Sequence, residues 1–194
     1  MQQMLRRIIV KIDRLNYWIG EKAIWFTLVM ILAQFAVVTL SKVFGYSFTP
    51  LDESVWYFNG LIFMFGAAYT QLNDRHVRVD IFYREASPHF RAWVDMFGAL
   101  VFLLPVTFMT FGLSWNFVLD SWYNFNAGHW VIERAEGSTS SLPLLSAFKT
   151  VIWAYSFLLA LAAISLAAKS ALFLFGNDER YDPTRRLNAA KLVR

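Results

Sequence analysis

The sequence contains no cysteine among its 194 residues. Disulfide bonds, thiolate nucleophiles and thiolate metal ligands are therefore excluded. The chain is also poor in charge, since 16% of its residues are Asp, Glu, Lys or Arg, whereas a soluble domain has about a quarter. Apolar residues take their place: 57% of the chain is hydrophobic and 18% is aromatic. This composition predicts a protein that lies in a lipid bilayer.

Four stretches contain no Asp, Glu, Lys or Arg, and each is long enough to cross about 30 Å of hydrocarbon as a helix. They are residues 23–41, 54–72, 96–119 and 150–168. The sequence therefore predicts an all-α integral membrane protein, a single membrane domain over residues 1–194 with four transmembrane helices. Pro105 is the only proline inside a predicted span, and we expect a kink there.

Lys and Arg are distributed unevenly between the flanks of these spans. Fifteen lie before the first span, between the second and third, or after the fourth, and three lie in the other two connections. The positive-inside rule then predicts that both termini are cytoplasmic. Residues 120–149 form a periplasmic loop on this topology, with Glu133 exposed, and residues 176–194 form a cytoplasmic tail.

Residues 1–20 have the pattern of an amphipathic helix. The apolar stripe comprises Leu5, Ile8, Ile9, Ile12, Leu15 and Ile19, and the basic face comprises Arg6, Arg7, Lys11 and Arg14. We expect an interfacial helix that lies along the membrane with its basic face toward anionic lipid headgroups. A solvated basic flank and a surface that docks on a partner protein are the alternatives.

The predicted spans carry little that could support chemistry. The three histidines, His76, His89 and His129, all lie outside the spans, and the spans contain no acids. We therefore expect no haem, no metal, no other cofactor, no ion relay and no enzymatic activity. The basic residues mark one membrane face, so nucleic acid is not an expected partner. Gln34, the most polar side chain near the middle of a span, is expected to form a hydrogen bond between helices.

The fourth span carries a stripe of small residues at helical spacing. Its members are Ser156, Ala160, Ala163, Ala167 and Ala171. Small side chains let a neighbouring helix approach closely, so the stripe is predicted to be a packing seam. Packing within the chain and packing on another subunit both remain open.

Residues 73–80, NDRHVRVD, concentrate charge between the second and third spans. One Arg or Asp in the middle of a bilayer costs about 2.5–3.5 kcal/mol, so this cluster is expected at the cytoplasmic rim. Arg75, His76, Arg78 and Asp80 are the candidates for contact with a partner subunit or with headgroups. The alternative is a cluster that neutralises itself at the end of a helix.

The run AYTQLNDRHVRVDIFYREASPHFRAWVD, residues 68–95, resembles the small membrane subunit, DctQ-like, of tripartite ATP-independent periplasmic (TRAP) transporters. The most specific part is His76-x-Arg78-x-Asp80, in the connection between the second and third of four spans. The step Leu142-Pro143, followed by Lys149, is also similar to that family. Ser140 and Ser141 depart from it, because members often have Gly-Gly there.

The resemblance implies a function and partners. In such transporters a periplasmic binding protein delivers an organic acid, often a carboxylate, to a large membrane subunit that imports it with a sodium gradient. The small subunit is a scaffold for the large one and binds no substrate. A hypothesis from another class is an autonomous membrane enzyme or carrier that uses Arg75, His76, Arg78 and Asp80 on an anionic substrate or a lipid phosphate.

Overall fold

The computed structural model of the chain describes residues 2–72, 86–124, 128–131, 133–134, 141–176 and 178–183. The α-helices within these residues are α1 (Gln2–Val43), α2 (Thr49–Leu72), α3 (Pro88–Phe97), α4 (Leu104–Trp122) and α5 (Leu145–Gly176). A π-helical segment, Gly98–Leu103, joins α3 to α4, and a 3₁₀ turn, Glu179–Tyr181, follows α5. Each predicted span lies inside this helical structure.

The helices run alternately up and down, which gives the bundle two ends. We call the end that carries the beginning of α1 and the end of α5 the terminal end. The opposite end, called the hairpin end, carries the connection 44–48 and a short antiparallel hairpin of β1 (Tyr123–Asn124) and β2 (His129–Trp130). The sequence analysis did not predict this hairpin.

Three helical stretches are long and apolar enough to cross a membrane, namely Gln3–Val43, Pro88–Trp122 and Leu145–Gly176. Helix α2 is not among them, because residues such as Asn59 and Gln71 lower its mean hydropathy. In the most apolar stretch of α5, 44% of the residues are buried, against 6% in α1 and 11% in Pro88–Trp122. Helix α5 is therefore the core of the bundle, and it contacts all four other helices.

Helix α1 joins the predicted amphipathic segment and the first predicted span in one continuous helix of 42 residues. At 1.5 Å per residue its length is about 63 Å. It ends where Gly45 adopts a φ of 65°, while the amides of Phe44 and Tyr46 both donate to the Leu40 carbonyl. Glycine adopts a positive φ readily, so Gly45 allows the chain to turn away at the end of α1.

Helix α3 begins at a regular N-cap, ahead of the third predicted span. Ser87 is its N-cap, with Oγ accepting the Phe90 amide at 3.3 Å, and Pro88 occupies the first turn. A π-helical segment lies directly before Pro105 and ends with the Leu104 amide bonded to the Ala99 carbonyl. The kink expected at Pro105 stays a prediction. Because proline has no amide hydrogen, the regular ladder is already incomplete at this position.

Candidate functional site

The predicted rim cluster falls outside the described residues. Arg75, His76, Arg78 and Asp80 all belong to the segment 73–85, for which no structure is described. Their contact with a partner or with headgroups therefore stays a prediction.

The small-residue seam on α5 faces the interior of this chain. Ser156, Ala163 and Ala167 are buried, and Ala160 and Ala171 are half-buried. Ala167 packs with Leu166 and with Ala99 of the π-helical segment. Ala162, which directly precedes Ala163, packs with Leu158 and with Ala68 of α2. Within the described residues, the seam thus brings α5 close to its own neighbours.

The basic face of α1 is divided by the structure. Arg6 pairs with the buried Asp178 carboxylate at 2.7 Å, which ties the start of α1 to the segment after α5. The other three basic residues, Arg7, Lys11 and Arg14, are exposed. The apolar stripe opposite them is also divided, because Ile9 is 2% exposed while Ile8 is 43% exposed. This part of α1 therefore packs on the chain itself with one side.

A second polar contact at the terminal end centres on Asp13. Its Oδ1 accepts the Ser165 hydroxyl at 2.5 Å, and its Oδ2 accepts Lys169 Nζ at 2.7 Å. We call Asp13, Ser165 and Lys169 the terminal cluster. Asp13 is the only acid among the first 20 residues, between Ile9 and Asn16 at helical spacing. A lone acid at this spacing could have indicated a polar contact with another helix, but this contact was not predicted from the sequence.

Asn16 lies one turn beyond Asp13 and is only 1% exposed. Neither its amide nitrogen nor its amide oxygen forms a hydrogen bond with any residue that the structure describes. A buried amide without partners destabilises a fold, by about 1–3 kcal/mol. Four residues later, Gly20 packs directly on Tyr69 of α2, and a Cβ at position 20 would overlap Cβ and the ring of Tyr69.

The hairpin end is held by a second set of ionic contacts. Lys149 Nζ donates to both carboxylate oxygens of Glu133 at 2.7 Å and lies 4.2 Å above the ring of Phe117. The expectation that Glu133 is exposed was wrong: it is half-buried, because Lys149 holds it against the bundle. The Lys149 that carried part of the family resemblance thus fixes the loop.

Glu53, near the start of α2, anchors the other side of this loop. It is 8% exposed, and its Oε2 accepts the Leu142 amide at 2.8 Å. The Arg134 guanidinium donates to the carbonyl of the neighbouring Ser141, which is 2% exposed. The connection between α4 and α5 is therefore tied to α2 as well as to the helices that it joins.

Gln34 does not form its predicted hydrogen bond with another helix of the described part of this chain. It lies in the half of α1 nearer the hairpin end, is exposed, and forms no hydrogen bond with any of the described residues. Asn59 in α2 and Asn116 in α4 are exposed in the same way. By contrast, the Thr39 hydroxyl is satisfied within its own helix by the Phe35 carbonyl at 2.8 Å.

Taken together, the charged contacts are structural ties at the two ends of the bundle. Among the described residues, no group of three or more His, Asp or Glu side chains is arranged to hold a metal ion. The His89 ring packs at a tilt against Phe173 with ring centroids 5.3 Å apart, and His129 is exposed on the hairpin. The arrangement fixes helices to one another and orders a loop.

Comparison with known families gives one match. The family model described as "Tripartite ATP-independent periplasmic transporters, DctQ component" matches residues 30–175, which is well over half of the chain. The match includes Glu53, Glu133 and Lys149 at the hairpin end but not Asp13. No curated protein and no solved structure matched the chain.

Proposed function

This chain belongs to the DctQ component family of tripartite ATP-independent periplasmic transporters, and from that premise we propose that it is a non-catalytic scaffold for the large membrane subunit. The large subunit imports an organic acid, in this proposal a carboxylate, with a sodium gradient. A periplasmic binding protein delivers the acid. The small subunit takes part in assembly and does not bind the transported compound.

The observation that carries the scaffold role is the position of the ionised groups. Three ion pairs between described residues lie at the ends of the bundle: Arg6 with Asp178 and Asp13 with Lys169 at the terminal end, and Glu133 with Lys149 at the hairpin end. Membrane proteins that move ions or charged solutes normally place ionisable side chains along the path. The four long apolar segments of this chain carry none between their ends.

The proposed orientation places the terminal end in the cytoplasm and the hairpin end in the periplasm of a bacterial inner membrane. The distribution of Lys and Arg supports this orientation. Helix α2 is proposed as the fourth transmembrane helix, since residues 54–72 contain no ionised side chain and its 24 residues are about 36 Å long. The exposed Arg7, Lys11 and Arg14 would then face anionic headgroups.

Co-purification tests the scaffold role directly. The chain is co-expressed with the large membrane subunit of its transporter and isolated through an affinity tag in a mild detergent. We expect a stable complex that contains both subunits and, in liposomes with the binding protein, sodium-dependent uptake of a carboxylate. The chain reconstituted alone is expected to give no uptake. Uptake by the chain alone, or a monomeric chain despite co-expression, would contradict the proposal.

The rim residues give a second test. Arg78→Ala with Asp80→Ala is expected to weaken assembly or lower the uptake rate, while the order of preference among carboxylates stays the same. Unchanged assembly and uptake in this double variant would remove the predicted partner contact. Single Ala variants of Arg75 and His76 extend the same measurement to the rest of the cluster.

A further inference from the structure

One side of α1 is covered in its first half and open in its second half. Asp13, Asn16, Gly20 and Ala23 lie on the covered side: Asn16 and Ala23 are 1% and 3% exposed, Gly20 is buried and Asp13 is half-buried. Eighteen residues make five full turns of an α-helix, so the residues 18 positions later point in the same direction. These are Ile31, Gln34, Val38 and Ser41, and all four are exposed.

The covered half owes its burial to α2 and α5. Asp13 bonds to Ser165 and Lys169 of α5, and Gly20 packs on Tyr69 of α2. Toward the hairpin end α5 packs elsewhere: Phe148 lies 5.0 Å from the Tyr57 ring of α2, and Thr150 accepts the indole N–H of Trp122 in α4 at 2.8 Å. The side of α1 that α5 covers at the terminal end therefore continues without cover. We call Ile31, Gln34, Val38 and Ser41 the open strip.

Lipid is a poor cover for the open strip because of Gln34. This residue lies seven positions from one end of the predicted span 23–41 and eleven from the other, or about 10 and 16 Å along the axis. Hydrocarbon offers no hydrogen-bond partner to an amide at that depth. Asn116 differs, since it lies three residues, about 4.5 Å, from the end of its predicted span and can reach the headgroup region.

We infer that the open strip is the docking surface for a transmembrane helix of the large membrane subunit, with a side-chain hydrogen bond to Gln34. The inference rests on the proposed function, which supplies a large membrane partner. The strip suits a helix, since Gln34 is flanked at helical spacing by β-branched Ile31 and Val38 and by the small Ser41. Polar side chains in such a seam form hydrogen bonds between membrane helices.

Photo-crosslinking locates the strip in the assembled complex. The chain has no cysteine, so a single Val38→Cys can be labelled with a benzophenone maleimide without background in this subunit. Leu32→Cys is the matched control, because Leu32 is 60% exposed and lies about 200° around the helix from Gln34. Illumination of membranes is expected to give a covalent adduct with the large subunit at position 38, at least ten times more than at position 32.

Three results would overturn the inference while leaving the proposed function intact. In each of them the large subunit still co-purifies, and position 38 gives an adduct with lipid only, an adduct with a second copy of this chain, or no more adduct with the large subunit than position 32. If the unlabelled wild-type chain does not co-purify with the large subunit at all, the proposed function itself fails.

A variant of the amide tests the hydrogen bond independently. Gln34→Leu removes the amide, leaves an apolar side chain one atom shorter, and is expected to weaken association with the large subunit roughly 5- to 30-fold, measured by subunit exchange in detergent. Asn116→Leu removes an exposed amide from α4 and is expected to leave association unchanged. Equal association for Gln34→Leu and the wild-type chain, in complexes that form normally, would overturn the role of Gln34.

Discussion

Asp13 in α1 and Lys169 in α5 form an ion pair with an N–O distance of 2.7 Å, while the other Asp13 oxygen accepts the Ser165 hydroxyl. The Lys169 side chain is 13% exposed and that of Asp13 is 31% exposed. One carboxylate therefore joins the beginning of the chain to the end of its core helix. Its surroundings lie between those of a surface pair, which contributes little, and those of a fully buried one.

Asp13→Ala is expected to lower the free energy of unfolding by about 1–3 kcal/mol, because it removes the carboxylate from a mostly buried Lys169 and from the Ser165 hydroxyl. Thermal unfolding in detergent, followed by tryptophan fluorescence, measures the change. Asp13→Asn, which keeps an acceptor for Ser165, should lie between Ala and the wild-type chain. In a double-mutant cycle with Lys169→Met, additive losses would mean that the two side chains do not interact.

Asn16→Leu is expected to leave stability unchanged or to raise it by up to about 2 kcal/mol, since it replaces two unsatisfied buried polar atoms with apolar atoms of similar branched shape. Asn16→Asp places a charge at the same position beside Asp13 and is expected to lower stability by about 2 kcal/mol or more. The same unfolding measurement applies to both variants. A loss with Leu as large as that with Asp would contradict the burial of an unpaired amide.

Gly20→Ala is expected to destabilise the chain, because the added Cβ overlaps Cβ of Tyr69, whose position is fixed by the backbone and does not change when the side chain rotates. Gly66→Ala is the matched control in α2. No atom lies within 4 Å of a Cβ added there, and alanine is a better helix former than glycine by about 1 kcal/mol. The melting temperature should therefore fall for Gly20→Ala and rise for Gly66→Ala. A change in the same direction for both variants would count against the close approach of α1 and α2.

Ala163→Leu is expected to cost about 1–3 kcal/mol of stability, because Ala163 is fully buried in the seam of α5 and the larger side chain overpacks it. Ala154→Leu makes the same change on the same helix at an exposed position and should have almost no effect. The comparison uses melting temperature and the fraction of monodisperse protein in size-exclusion chromatography. Equal behaviour of the two variants would show that the seam tolerates bulk.

The helices follow from local rules, and that is why the sequence predicts them well. A run without charge long enough to cross a bilayer must satisfy its own backbone, so residues 54–72 and 150–168 lie in α2 and α5. The N-cap at Ser87 follows from Ser-Pro before an amphipathic stretch. The predicted loop 120–149 is shorter in the structure, because α4 continues to Trp122 and α5 begins at Leu145.

The contacts between helices were harder to predict. Asp13 and Lys169 are far apart in sequence, and no local pattern states which face of α1 meets which face of α5. Glu133 was expected to be exposed because it lies in a polar loop. Its partial burial is explained by the ion pair with Lys149, which lies near the start of α5. The rim residues, Arg75 to Asp80, lie outside the described residues and stay a prediction.

The π-helical segment before Pro105 joins α3 and α4 into one long helix and changes the direction in which the residues after it point. Buried positions include Ala92 and Asp95 before it, Ala99 within it, and Thr107, Ser114 and Val118 after it. Thr107 and Ser114 lie one residue later than an unbroken repeat of seven from Ala92 and Ala99 would place them. Deleting one residue from this segment would restore a regular helix and rotate everything beyond it by about 100°. Thr107, Ser114 and Val118 would then point away from α5, so the length of the chain here is as constrained as its composition.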